Sequence, residues 1–269
     1  MYILIDSGGL GMKTYSVFSM KGGTGKTTTV LSLLSYFSSG AVELFKNVPQ
    51  GKALAVDFDP QESLTLLTGA QADKTIVDVL TDEADIKECI VKTNYGDVLP
   101  GSQLLAALEP QLTGDALTVL KEKIQPLKKA YDYVYIDCQP GVSGIPIAAL
   151  VASDGVIVPA QASLTAMYSL SRLVPAIETA KQYNKRLKVE GVLLTMFDAR
   201  TNASKSFLEL AERLAADQLK SKVFNSKIRR GVIVEEAAGL GKGIFEVGAK
   251  SNPAVDYAEF INELLGAGR

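Results

Sequence analysis

Histidine and tryptophan are missing from this chain of 269 residues, and cysteine occurs twice. Without histidine there is no Ser-His-Asp triad, no Cys-His dyad and no imidazole to hold a metal. Cys89 and Cys138 are too few for a disulfide framework and lack metal-ligand spacing, which fits a reducing, cytoplasmic setting. No apolar run approaches the roughly 18 residues that a membrane helix needs. Neither sign of charge dominates: 28 basic against 30 acidic residues leave a net charge of −2, so any contact with nucleic acid must come from a local patch. Chemistry is left to Lys, Asp, Glu, Thr, Ser and backbone amides.

What is present is the pattern of a large globular domain. The composition, 47% hydrophobic and 22% charged, is ordinary for a folded protein. A chain of this length buries roughly 70–75% of its unfolded surface and needs no disulfide or metal to hold it. β-branched apolar runs predict strands at Thr14–Met20, Ala53–Phe58, Tyr133–Asp137, Gly155–Pro159 and Val189–Met196, with a short one at Asp97–Pro100. Several are continuously apolar, as parallel strands covered on both faces are. Helical patterns near 26–38, 110–130, 165–184, 203–218 and 254–265 are long enough to be right-handed crossovers. The expectation is an α/β fold: a doubly wound, mainly parallel sheet flanked by helices.

No internal repeat, low-complexity tract or linker divides the chain, so residues 14–269 read as a single domain after an N-terminal extension, 1–13. The start, Met1 to Gly11, has no basic stretch and no cleavage site and is not a signal peptide. Met12 ahead of Lys13 offers an alternative start, which makes residues 1–11 an appendage. Ligands of such sheets bind beyond the carboxyl ends of the strands, and the informative residues do follow strands.

After the first strand comes Met20-Lys21-Gly22-Gly23-Thr24-Gly25-Lys26-Thr27-Thr28 and then a helix. Glycines at 22, 23 and 25 let successive N–H groups turn inward to form an anion nest, and the helix adds its positive end. Lys26 reaches the β- and γ-phosphates of a nucleotide, and the Thr27 hydroxyl suits Mg²⁺. The usual phosphate loop opens with Gly where Met20 stands and makes no demand for the next residue to be Lys. This stretch, Lys-Gly-Gly-x-Gly-Lys-Thr-Thr, resembles the deviant Walker A signature of the ParA, Soj and MinD ATPases. The resemblance spans roughly residues 14–265. It implies a P-loop ATPase of that type, with ATP and Mg²⁺ as cofactors and residues 21–28 as the nucleotide cradle. It also implies that Lys21 crosses a dimer interface to the partner's nucleotide, so that Lys21 and Lys26 both serve catalysis.

The second strand ends in Asp57-Phe58-Asp59-Pro60-Gln61, whose period of two puts both acids on one side of an extended segment. Two acids at a strand end beside a phosphate loop suit Mg²⁺ coordination and placement of the attacking water. The resemblance assigns water activation to Asp59 and a Mg²⁺-shell or switch role to Asp57. Likewise Tyr133–Ile136 leads into Asp137, the Walker B logic of an acid that holds Mg²⁺. Here Gln139 replaces the first proline of the family's Asp-x-Pro-Pro. Iron–sulfur relatives need cysteines in positions that Cys89 and Cys138 do not supply.

The stretch Thr195 to Asn202 resembles the Soj segment whose arginine, matching Arg200, contributes to non-specific DNA binding. Lys205 is its neighbour on the next helix. Downstream, Lys220, Lys222, Lys227, Arg229 and Arg230 fall within one acid-free run, which could supply phosphate contacts without sequence readout or be a solvated face. The family has a further arginine where Ile233 stands, and a proline where Gly243 stands. Met196 and Arg230 are expected to frame the adenine. MinD-like relatives dock on membranes through a basic amphipathic C-terminal helix. Here the last segment carries acids at 256, 259 and 263 and only Arg269 as a base, so an anionic surface would repel it. Phe260, Ile261, Leu264 and Leu265 are expected to pack on the sheet instead.

Together the resemblance implies an ATP-dependent homodimer that binds DNA non-specifically on the nucleoid, releases it on hydrolysis and segregates plasmid or chromosomal DNA with a ParB-like partner. Two alternatives stay open: positioning of a protein cargo on the nucleoid, and a MinD-like membrane-associated switch. No long DNA-reading extension precedes the phosphate loop, so operator-specific repression is not expected.

Overall fold

The computed structural model describes residues 11–38, 51–162 and 164–266; most of the expected N-terminal extension, and Arg269, lie outside the described residues. The strands are β1 (Lys13–Val17), β2 (Ala53–Phe58), β3 (Val91–Thr93), β4 (Gly96–Leu99), β5 (Tyr133–Cys138), β6 (Gly155–Gln161) and β7 (Lys188–Thr195). They form one sheet in the order β3-β4-β2-β5-β1-β6-β7. Every pairing is parallel except β3 with β4 at the edge. β3 escaped the sequence pattern because three residues are too few to show a period. It is joined to β4 by a tight turn that ends at Gly96, with φ 131°.

The helices are α1 (Lys26–Ser38), α2 (Ser63–Thr68), α3 (Ile76–Leu80), α4 (Leu105–Leu108), α5 (Val119–Ile124), α6 (Gly144–Ala152), α7 (Leu164–Ser171), α8 (Leu173–Tyr183), α9 (Asn202–Asp217), α10 (Val232–Gly239), α11 (Ile244–Gly248) and α12 (Asn252–Leu265). Two expected long helices are broken. Residues 110–130 resolve into the end of one 3-10 turn (Glu109–Gln111), a second 3-10 turn, α5 and a third 3-10 turn, because Gly114 adopts φ 55° and Pro126 lacks the N–H that continues a helix. Residues 165–184 divide into α7 and α8 at Arg172; Pro175 sits in the first turn of α8, where its missing N–H is tolerated.

The sheet is buried on both faces. Leu54, Val56, Val134 and Ile136 pack into one layer, while Ala53, Ala55, Tyr135 and Val17 pack into the other. α12 belongs to the second layer. Phe260 and Ile261 are fully buried there, with Leu264 and Leu265 packed against the cluster, so the apolar face of the last helix is spent on the core.

Register places the chemistry. Asp137 on β5 is level with Asp57 on β2 and with Val17, the last residue of β1. Adjacent strands lie about 4.8 Å apart, so the phosphate loop and two acids emerge side by side at one end of the sheet.

Candidate functional site

The loop between β1 and α1 is closed by its own hydroxyls. Ser19 Oγ and Thr24 Oγ1 share a hydrogen bond at 2.7 Å, and Ser19 Oγ donates to the Lys21 carbonyl at 3.1 Å. Gly23 and Gly25, at φ 72° and 88°, take conformations that L side chains rarely adopt. The loop is also fastened from across the sheet, since Thr195 Oγ1 at the end of β7 donates to the Thr24 carbonyl at 2.8 Å. α1 begins at Lys26 with no acid in its first turn, which leaves its N-terminal amides and positive dipole end facing the loop. Lys26 is buried, and its Nζ lies 3.5 Å from the Lys21 carbonyl. Lys21, Gly22 and Gly23 are exposed, Thr27 is half-buried, and Thr28 opens onto a small groove with Leu67, Ala237 and Ile244.

The two level aspartates differ. Asp57 Oδ2 accepts from the Thr65 N–H (2.8 Å) and from Thr65 Oγ1 (2.7 Å), and Oδ1 accepts from the Asp59 N–H (3.3 Å). Burial pushes its pKa up to about 6, against the pull of the Thr65 bonds. Asp57, expected to play a Mg²⁺-shell or switch role, anchors the start of α2 with these oxygens. Asp137 is the opposite case. It is 1% exposed, and neither oxygen has a well-formed hydrogen bond. Burial and the Asp57 charge push it up to about 8, while the Thr27 hydroxyl and the Lys26 ammonium act against that rise. A buried carboxylate without donors is costly unless something satisfies it. A Mg²⁺ ion held by Asp137 and Thr27 fits this need, and bound there it would neutralise charge that develops on a phosphate. Asp59 lies at the mouth, half-buried, its Oδ1 accepting from the Gln61 N–H at 2.9 Å.

The basic run is not a loose coil. Residues 222–229 follow the free edge of β7: Phe224 N–H donates to Val192, Ile228 N–H to Leu194 and Phe197 N–H to Ile228, which covers an edge that would otherwise pair with other chains. Met196, at φ 50° and 40% exposed, precedes the bridge between Phe197 and Arg229 on one strand-like segment, and Arg230 follows it on the other.

Several cations expected to meet DNA are engaged within the chain. Arg229 makes a bidentate pair with buried Asp256 of α12 (Nε–Oδ2 2.9 Å, Nη2–Oδ1 2.6 Å). Lys222 pairs with Glu263 at 3.2 Å. Glu263 also accepts from the N–H groups of Asn225 and Ser226, and its pKa is lowered by these donors despite burial. Two of the three α12 acids thus pin the basic run, a role that their spacing did not reveal. Lys220 donates to the Asp217 carbonyl at the end of α9, and Lys227 to the Asn225 carbonyl. Arg200 is exposed and pairs with Asp198 (Nε–Oδ1 2.9 Å, Nη2–Oδ2 2.8 Å), which lowers the Asp198 pKa to about 2. Lys205 is exposed one turn into α9.

Sequence reasoning gave no role to Thr65, Thr195, Glu62, Gln103 and Glu109, whose polar bonds orient this end of the sheet. Thr195 and Glu62 lie in or beside motif stretches, but nothing in the local sequence of Thr65, Gln103 or Glu109 marks them.

Comparison with known proteins agrees with this geometry. A sequence profile described as an AAA domain matches residues 12–189. The chain is 34% identical over 267 residues to the sporulation initiation inhibitor protein Soj of Bacillus subtilis (strain 168), across 95% of this chain and 99% of Soj. Among solved structures, Cyanothece apo McdA superposes with a TM-score of 0.81 at 24% identity, over 95% of this chain and all of McdA, which shows the fold. A cobyrinic acid a,c-diamide synthase from Mycobacterium smegmatis with bound ADP and magnesium has a TM-score of 0.78 at 28% identity, over 96% of this chain and 97% of its own.

Proposed function

The chain belongs to the Soj- and ParA-type family of P-loop ATPases, and on that premise we propose that ATP closes two copies into a dimer that holds DNA without reading its sequence. Hydrolysis then opens the dimer and releases the DNA, and a ParB-like partner sets the timing. The observation that carries the catalytic half is Asp137, buried beside Thr27 and Lys26 with neither oxygen in a well-formed hydrogen bond. ATP with Mg²⁺ supplies the charge that this pocket is built to receive. Residues 21–28 cradle the phosphates, Thr27 and Asp137 hold Mg²⁺, and Met196 and Arg230 frame the base. Asp59, at the mouth, positions the attacking water, while Asp57 keeps the turn that carries Asp59 in place through Thr65. Lys21 is assigned to the nucleotide of the second copy.

For DNA the reading favours Arg200, Lys205, Lys220, Lys227 and Arg230 as the contact set. Lys222 and Arg229 serve mainly to hold the basic run against α12. Among the described residues no helix is long and apolar enough to cross a membrane, and the apolar face of α12 is buried, which favours DNA over a lipid surface. The test is binding to random-sequence duplex DNA without nucleotide, with ADP and with ATP–Mg²⁺, at two salt concentrations. Binding that requires ATP, weakens with salt and falls in Arg200→Ala supports the reading. Equal binding without nucleotide, or none in any state, overturns the DNA half.

A further inference from the structure

The two loops that carry the carboxylates are tied to one stretch of chain, residues 101–112, which lies outside every motif. At its start the Gly101 N–H donates to Thr65 Oγ1 at 2.8 Å, and that hydroxyl donates to Asp57. No side chain fits at 101, because a Cβ would fall 2.9 Å from Asp57 Cγ. Gln103 then donates twice to Glu62, from its N–H and from Nε2, both at 3.2 Å. Glu62 closes the turn of Asp59: its N–H donates to the Asp59 carbonyl at 3.0 Å, and its backbone is left-handed at φ 55°.

The far end of the stretch holds the other loop. Gln139, two residues past Asp137, donates from Nε2 to Glu109 Oε1 at 2.6 Å and to Ser143 Oγ at 3.0 Å. α6 docks tightly on the same place, since a Cβ at Gly144 would lie 2.6 Å from the Leu112 carbonyl oxygen and 2.9 Å from that of Glu109. Between the two ends run α4 and a 3-10 turn, Glu109–Gln111, anchored by buried Leu105 and Leu112. A short helical piece held by close-packed leucines transmits displacement rather than absorbing it.

We propose that Gln103 and Gln139 are positioning residues for ATP hydrolysis: through Glu62 and Glu109 they fasten the Asp59 loop and the Asp137 loop to residues 101–112, so that both loops are set as one unit. The proposal rests on the roles given above to Asp59 and Asp137. These are partly exposed side-chain contacts, so they add little to global stability. Their effect falls on geometry, to which reacting groups are sensitive at the scale of an ångström.

The experiment is phosphate release by the full chain at saturating Mg–ATP for Gln103→Ala, Gln139→Ala, the double variant, Glu109→Ala and Glu109→Gln. Each alanine variant is expected to lose about tenfold in kcat with KM for ATP and melting temperature little changed. The double variant falls no further than its slower parent, because opening either end already separates the loops. Glu109→Gln keeps an acceptor for the Gln139 amide and recovers turnover where Glu109→Ala does not. Losses that multiply in the double variant, or a Glu109→Gln as slow as Glu109→Ala, mean that the loops are set independently and the proposal is wrong. Asp59→Ala and Asp137→Asn are measured alongside. Normal turnover in either one sinks the carboxylate assignment itself, an outcome distinct from failure of the shared brace.

Discussion

Asp137 and Asp256 are both almost wholly buried, at 1% and 5% exposure, yet they live in opposite worlds. Asp256 receives the Arg229 backbone N–H and two guanidinium nitrogens, and its carboxylate is fully served. Asp137 receives no well-formed hydrogen bond, sits level with a second acid and has its pKa pushed up to about 8. The first arrangement holds a fold together: it fastens the strand-like run 222–229 to the last helix. The second leaves a buried acid beside the phosphate loop without a well-formed hydrogen bond of its own. Burial is common to both, and what separates structure from function is whether the chain supplies the partners itself.

Substitution at the two sites should therefore have opposite signatures. Asp137→Asn is expected to lower ATP turnover by about 100-fold or more, through loss of the metal-holding charge. Its melting temperature should hold or rise, since a buried ionisable group level with a second acid is replaced by a neutral amide of the same size. Phosphate release and thermal denaturation check this directly, and a variant that unfolds early would place Asp137 with the structural acids.

Asp256→Ala should do the reverse. Losing charge-assisted bonds and leaving the Arg229 N–H without an acceptor costs about 2–3 kcal/mol, seen as a drop of several degrees in melting temperature. Turnover per folded molecule should stay within about twofold. An unchanged melting temperature would show that water replaces Asp256 at the half-exposed guanidinium.

Arg200→Ala sharpens the contrast on the cation side. Its pair with Asp198 is on the surface and screened by solvent, so the melting temperature should stay almost unchanged. The salt slope of DNA binding should fall by roughly one counterion. An unchanged slope would remove Arg200 from the contact set. The smallest effect is expected at Lys222→Ala. Its exposed pair with Glu263 is worth well under about 1 kcal/mol, and Glu263 keeps two backbone donors. A large loss of DNA binding there would return Lys222 to the interface.

How much of this was legible depended on sequence distance. The phosphate loop could be read because all its parts are contiguous, and the strand ends at Asp57 and Asp137 because apolar runs mark them. Ala53–Phe58 and 26–38 agree with β2 and α1 to the residue. The short elements α2, α3, α6, α10 and α11 were not anticipated, since they have few turns and owe their form to packing. The same holds for contacts of wide separation. Gln139 meets Glu109 across 30 residues, Gln103 meets Glu62 across 41, and Arg229 meets Asp256 across 27. A glutamine or an acid carries no local sign of a partner so far along the chain. The acids of α12 illustrate this: read in line they look like a repulsive tail, and in three dimensions they clasp the basic run.

By itself the order of residues determined that this is an α/β domain with a nucleotide loop after the first strand, because periodicity and glycine placement are local constraints on the backbone. It also determined which acids stand at strand ends. Only the tertiary structure decided which of those acids is left without donors. Strand register brings Asp57 and Asp137 level, and the bonds of Thr65 then serve one of them and not the other. That division follows from the packing of distant segments, where each buried polar group is satisfied or left wanting by neighbours that the local sequence does not name.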